Sequence, residues 1–491
     1  MSIRTFQDLL AAGRGERVRG EFCREAVSVF AASEQVRTAL DAEAYYRHLN
    51  PTIARAQRMV YTLLGEAVPD VYRPNHKIPS RYYHYFITQE VQYLLGNGVS
   101  LPGAGSKAAL GPGFDRALQQ LAVYALNGGT AFGFWNAGRL EVFPLAAPDA
   151  PGFCPLWDEE TGALGAGIRW WKAGAGKPLR MTLFEADGIT DYAADDGGAV
   201  RVWAAKRDYL RRRETIPGGE IWVNAGNPDR LPVVPLFNVN RQSELVGARA
   251  GLDAYDLLLS GLVNNTDEGN LIYWVLKNCS AMDEEDDAAF LAGLRRTGVV
   301  HADGDDGAAV EAHTVEVPVD ASEAALSRMR SQLFDDFMAL DVKEISSGTP
   351  TATQIAAAYE PLNAKTDAFE YCVLEFLEGL LPLTGAAGTP SFRRSVIANR
   401  QEEISNILAA APWLDGETVT EQLCAALGLS DRFGEILLKK RAEKTGAVRG
   451  EEEPEPEDNR TVEDSQAIES RRAVGVSEET NEKGRRGMND E

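Results

Sequence analysis

Few stretches of this chain carry residue types and spacings that could do chemistry. GAGKP, residues 174–178, sets a lysine after two close glycines, the pattern with which a loop cradles phosphate oxygens. A phosphate loop also needs a glycine further upstream, Ser or Thr directly after the lysine, and a helix whose first amides face the anion. Here Pro178 follows Lys177 and the next residues read as a strand, so no nucleotide site is expected. HADGDDGAAVE, residues 301–311, offers acids for a calcium loop, yet Gly307 stands where that loop requires an Asp or Asn ligand. A hairpin turn accounts for it. DEEDD, residues 283–287, could hold a divalent cation, but adjacent acids point around a helix and not at one centre, which suits a solvated face.

Neither the histidines nor the cysteines assemble a site. His48, His76, His84, His301 and His313 show no HxH or HExxH spacing, and no GxSxG accompanies them. Cys23, Cys154, Cys279, Cys372 and Cys424 are scattered without a CxxC pair, which argues against a zinc ribbon or a disulfide framework and suits a reducing compartment. No catalytic residue, no metal ligand set and no cofactor is therefore expected. The 73 acidic against 50 basic residues give a net charge of -23, unsuited to gripping phosphates over the whole surface but compatible with letting nucleic acid slide past. The N-terminus lacks a signal peptide's apolar run, and no stretch of about 18 apolar residues could span a membrane, so a soluble protein is expected.

The elements that would position any site come next. A length of 491 residues suits about two to four domains. Residues 1–100 carry helical periodicity in FQDLLAAGR, CREAVSVFAASEQVRTAL and YFITQEVQYLLG, broken by Pro69, Pro74 and Pro79. From about 120 to 237 the period shifts toward two, between Gly, Asn and Asp turn signals, and a β-rich module of hairpins is expected. Over 241–272, Leu245, Leu252, Tyr255, Leu259 and Leu262 form one apolar stripe, on a helix that would be about 48 Å long. Residues 273–320 read as a strand, a short helix and a hairpin turning at DGDDG. A second stripe follows at Leu326, Met329, Leu333, Phe337 and Leu340, with Asp320 and Glu323 spaced as an N-cap and its N3 partner. Ile355, Tyr359, Leu362, Phe369, Val373, Phe376 and Leu380 continue a helical face in which Pro361 should bend or break the helix. Shorter amphipathic helices occupy 385–448. From Glu451 the sequence EEEPEPED begins a segment with almost no apolar residue, so 449–491 is expected to be a disordered acidic tail.

Four stretches, in order, resemble the portal proteins of tailed bacteriophages, in particular the Gp6-like portal family typified by a Bacillus phage portal. They are PNHKIPSRYYHYFITQEVQYLLGNGVSL (74–101), YALNGGTAFGFWN (124–136), LPVVPLFNVNRQSELVGARAGLDAYDLLLSGLVNNTDE (231–268) and ISSGTPTATQI (345–355). The resemblance spans roughly residues 40–385. It implies an α+β portal architecture. Residues 1–100 would be the helical part of a wing and 101–240 its β-rich part. Residues 241–272 and 321–343 would be the two long stem helices and 273–320 a small α/β clip. Residues 344–354 would be a tunnel loop, 355–384 a kinked long wing helix, 385–448 a helical crown and 449–491 the tail.

The resemblance further implies a homo-oligomeric ring, typically a 12-mer, at the capsid portal vertex of the virion, assembled in the host cytoplasm. Double-stranded DNA would pass through its channel. Partners would be the terminase large subunit, a head-completion or adaptor protein, and the major capsid and scaffolding proteins, with no membrane and no catalysis of its own. The tunnel loop would present Glu344, Ile345, Ser346, Ser347, Gly348, Thr349, Pro350, Thr351, Ala352 and Thr353, mostly small or polar residues and without Lys or Arg. Arg330 and Lys343 are candidate channel charges, or alternatively salt-bridge partners between subunits. Two other readings stand beside this one: a metal-dependent nuclease or hydrolase of the phage head, against which the missing ligand spacing counts, and a non-portal oligomeric scaffold or adaptor.

Overall fold

The computed structural model describes residues 3–61, 65–70, 73–102, 106–216, 219–269, 272–277, 309–314, 318–343, 352–395, 400–427, 429 and 432–444. The chain divides into two units, Met1–Val396 and Ile397–Glu491. Five helices lead the first unit: α1 (Phe6–Ala11), α2 (Glu16–Ala31), α3 (Glu34–Tyr46), α4 (Pro51–Arg55) and α5 (Tyr82–Leu95). A short β1–β2 pair (Met59–Tyr61, Ala67–Pro69) lies between α4 and α5. The expected run over 23–40 is two helices, because Ser33 caps α3 by accepting the Val36 amide. Strand β3 (Val99–Ser100), α6 (Ser106–Ala109) and α7 (Phe114–Gly128) follow.

The β-rich region contains two main antiparallel sheets. β4 (Thr130–Asn136) and β5 (Arg139–Pro144) form a hairpin through Ala137 and Gly138, both at positive φ as a two-residue turn demands. β13 (Val233–Phe237) adds to β4. The second sheet is a meander in the order β10-β9-β8-β7-β6, built from β6 (Gly152–Trp157), β7 (Leu164–Lys172), β8 (Leu179–Glu185), β9 (Gly188–Ala194) and β10 (Val200–Arg207). β11 (Leu210–Ile216) and β12 (Gly219–Gly226) pair only with each other. The strand expected after GAGKP is β8. Helix α2 covers one face of the meander so closely that a Cβ on Gly20 would come within 2.8 Å of Val200 and 2.9 Å of Tyr192.

Two long helices and a third complete the unit: α8 (Arg249–Gly269), α9 (Val319–Asp336) and α10 (Ala352–Thr384), with β14 (Ile272–Lys277) paired antiparallel to β15 (Ala309–Thr314) between the first two. Three expectations change here, at the start of α8 and at both ends of α9. The helix expected over 241–272 begins at Arg249, because Asn240, Arg241 and Gly247 take positive φ and turn the chain first. Helix α9 starts at Val319 behind Pro318, so Asp320 lies in its first turn, where it complements the dipole without capping. It ends at Asp336, because Met338 adopts positive φ while the Ala339 amide reaches back to the Phe334 carbonyl and the Met338 amide to Asp335, a Schellman stop at a non-glycine residue. Helix α10 runs on through Pro361 and Pro382. Residues 385–395, grouped by sequence with the following helices, belong to the first unit: β16 (Ser391–Phe392) pairs with β3. The second unit holds α11 (Arg400–Ala410), α12 (Gly416–Leu427) and α13 (Phe433–Lys444). No helix among the described residues is long and apolar enough to cross a membrane.

Candidate functional site

The stripe of α8 that is buried is only partly the one its leucines suggest. Leu252 is buried, and the positions that follow at four-residue steps are Asp256, Ser260 and Asn264, all buried as well. Leu259 and Leu262 are only half-buried and Leu257 is 44% exposed. Opposite the polar stripe runs the extended segment around PNHKIPS. The Ser80 amide donates to Asp256 Oδ1 (2.9 Å), the Ile78 amide to Ser260 Oγ (3.0 Å) and the His76 amide to Asn264 Oδ1 (2.6 Å). Asn264 Nδ2 returns a bond to the His76 carbonyl (3.2 Å), and Asn50 Nδ2 donates to Asp256 Oδ2 (2.8 Å). The two periods match: four helical residues rise about 6 Å and two extended residues about 6.6 Å, so each side chain meets every second amide. His76 Nε2 lies 2.6 Å from Asp267 Oδ2 at the far end of this ladder.

Helix α9 buries Leu326, Leu333 and Phe334, with Phe337 and Leu340 buried just beyond it, while Met329 of the expected stripe is half-buried. It approaches α8 where α8 has no side chain: a Cβ on Gly251 would stand 3.3 Å from Leu333 Cδ2. Phe337 stacks on Phe86 of α5 with ring centroids 4.5 Å apart, and Phe334 meets the same ring edge-on at 5.1 Å.

A buried charge cluster ties these helices to α10. Lys365 Nζ lies 2.9 Å from Glu90 Oε2, 2.7 Å from Glu244 Oε2 and 3.3 Å from the Phe337 carbonyl that ends α9. One cation thus joins α5, the turn before α8, the end of α9 and the middle of α10. Burial pushes the Glu90 carboxyl up to about 7 against the pull of Lys365, while the two carboxylates outweigh burial and hold Lys365 above the ordinary lysine value.

The residues singled out from the sequence fall as follows. Glu344 through Thr351 of the expected tunnel loop lie outside the described residues, Ala352 opens α10 and Thr353 is exposed in its first turn. Both roots of the loop are held. Gln89 accepts the Leu340 amide (2.9 Å) and donates to the Leu340 carbonyl (3.0 Å), and the other root is the start of α10. Arg330 and Lys343 converge on one carboxylate. Arg330 pairs with Asp341 through both terminal nitrogens, at 2.6 and 2.8 Å, and the Lys343 amide donates to Asp341 Oδ1 at 3.0 Å. The salt bridge of Arg330 is therefore made within its own chain, which holds the Asp341 carboxyl below the usual carboxylate range. The acids at 283–287 and the DGDDG turn lie outside the described residues.

Sequence reasoning missed the polar ladder and the lysine junction. Asp256, Ser260 and Asn264 at four-residue spacing were a readable signal, since polar residues repeating along one helix face need partners there. Lys365 offered no such pattern, because Glu90 and Glu244 are remote in sequence.

The family model described as phage portal protein, SPP1 Gp6-like, matches residues 32–411, and the chain belongs to that family. This span extends beyond both ends of the resembling stretch 40–385. The portal protein of Bacillus phage SPP1 is 23% identical over 330 residues, 65% of this chain and 64% of that protein's length. The portal protein of Clostridium phage phiCD119 is 24% identical over 136 residues, 27% of this chain and 30% of that protein. Among solved structures, a chain of the neck of native GTA particle computed with C12 symmetry is loosely similar, at 11% identity and a TM-score of 0.34, over 75% of this chain and 96% of that one.

Proposed function

We propose that this chain is a structural subunit of a ring at the portal vertex of a phage capsid, through whose channel double-stranded DNA enters during packaging and leaves at ejection. The family match over residues 32–411 carries this reading. The packed pair α8–α9 supports it: Leu257 of α8 and Val319 of α9 remain exposed, with Leu259 and Leu262 half-buried, although both helices already bury one face within the chain. Repeated heterologous contacts in a ring would cover such residues. In this reading α8 and α9 form the stem. The β14–β15 pair belongs to the clip, where the terminase large subunit and the adaptor dock. The wing meets the major capsid and scaffolding proteins, and ATP hydrolysis belongs to the separate motor. The charge of -23 suits a wall that does not hold phosphates and so lets DNA slide.

Twelve copies of the 53.4 kDa chain would weigh about 640 kDa, and light scattering with negative-stain images should show that mass and a central hole. A protein that stays monomeric at high concentration and cuts DNA with Mg²⁺ sinks the reading. The loop has its own test. Gly348→Val, or deletion of 346–350, should leave the ring intact and reduce DNA packaged per head; unchanged packaging would make the loop a plain connector.

A further inference from the structure

Within a strongly acidic chain, one end of the five-stranded sheet is basic and aromatic. On the face that carries Arg169, Trp171 lies opposite Arg180 in the β7–β8 register. The Arg180 guanidinium stacks on Trp203 of β10 at 3.4 Å from the ring centroid, and Arg201 lies 5.8 Å from the same ring. Arg169 sits over Phe143 at 4.9 Å and over Trp171 at 5.1 Å. Trp203 is 57% exposed.

What the arginines lack is as informative as what they touch. Among the described residues, neither Arg169 nor Arg180 has a hydrogen bond or an ion pair, and Arg169 Nε and Arg180 Nη1 are buried nitrogens without an acceptor. Of the nearby acids, Asp191 pairs with Arg207 (2.8 Å), Asp196 with Lys172 (2.9 Å) and Asp195 with Arg201 (4.0 Å), while Glu141, whose charge also acts on Arg169, accepts from Asn136 Nδ2 (2.8 Å). A guanidinium held over an indole can offer its remaining N–H groups to an acceptor at little further cost in side-chain freedom.

We infer that Arg169, Trp171, Arg180, Arg201 and Trp203 form a docking site for an extended acidic peptide segment of another polypeptide. Carboxylates would take the arginine edges in paired hydrogen bonds, while backbone or proline rings lie on the indole faces. A nucleic acid fits less well, because it needs cations along a long run of phosphates, whereas these arginines form one short cluster bounded by Asp191, Asp195 and Asp196 that suits a short segment. The inference does not rest on the ring, since the site lies within one chain.

The probe is a fluorescein-labelled peptide EEEPEPED, the sequence of residues 451–458, which alternates Glu and Pro over much of its length. It is titrated by anisotropy onto the full chain whose own acids in 451–458 are changed to amides, so that no internal copy competes. Saturable binding should weaken at least tenfold with Arg180→Ala and with Trp203→Ala. Arg180→Lys should lose most of the same affinity, since charge without the flat stack is insufficient. Thermal melting should stay unchanged, because Trp203 is mostly exposed. The peptide with every acid changed to its amide should not bind. Equal peptide affinity in the parent and the Arg180→Ala and Trp203→Ala chains overturns the site. So does a single- or double-stranded oligonucleotide that binds through Arg180 and Trp203 while the peptide does not.

Discussion

The sheet region and the long-helix region solve the same problem with different side chains. In the sheets, Phe132, Phe134, Phe143, Phe153 and Phe184 fill the space between β4–β5 and the meander, with Phe132 and Phe153 centroids 4.4 Å apart and all five buried. Along α8, burial begins with Leu252 and passes to Asp256, Ser260 and Asn264, held by hydrogen bonds to an extended segment. An aromatic core gains from area and shape and tolerates small shifts. A polar ladder is nearly neutral in energy but fixes register, because each buried group left unmatched costs its full desolvation. Of the two helices that the proposed ring would have to align, α8 is placed in part by hydrogen bonds and α9 by apolar packing.

The sharpest way to break this contrast is Lys365→Met. It leaves Glu90 and Glu244 without their cation, and a loss of about 3–5 kcal/mol is expected in urea unfolding. Phe153→Ala should cost about 3–5 kcal/mol through a cavity, but with α8 still in register, so hydrogen exchange around 74–80 should not rise in the folded protein. Asp256→Ala should cost less, about 1–3 kcal/mol, by stranding Asn50 Nδ2 and the Ser80 amide. Exchange at Ile78 and Ser80 should rise in that variant, and if it does not, the ladder is not what places this segment.

The smallest effect concerns pH. The Glu90 carboxyl is raised from 4.5 to about 7 in the folded chain by burial. Below pH 4.5 both states are protonated. As pH rises toward 7 the unfolded chain loses this proton first, so the contribution of Glu90 to stability falls through that window. Lys365 and Glu244 face the same carboxyl from α10 and from the turn before α8. Glu90→Gln should flatten stability between pH 5 and 7 relative to the parent, measured by denaturant midpoints; an identical slope would show that Glu90 does not titrate in that range.

Much of the helix pair was legible because periodicity reports burial directly: Leu326, Leu333, Phe337 and Leu340 lie inward as their spacing required. The stop of α9 was not, since positive φ at Met338 is chosen by packing around Phe334 and Phe337 and not by a glycine. The start of α8 slipped for a similar reason, its leucine stripe reaching back to Leu245 across a turn that only Asn240, Arg241 and Gly247 reveal. Pro361 does not break α10, because a helix packed along one face can continue without one hydrogen bond. Arg330 and Lys343 were found as a pair of charges. That the Arg330 guanidinium and the Lys343 amide meet on Asp341 needed three dimensions.

By itself the sequence determined the helical or strand character of most described segments and the ordered set of stretches that resembles the portal family. Those are local properties, carried by spacing and composition. Only the tertiary structure decided which polar groups meet: Asp256 with the Ser80 amide, Lys365 with Glu90 and Glu244, and Arg180 with Trp203. Partners remote along the chain leave no periodic trace, and a buried charge declares its purpose only when its neighbours are in place.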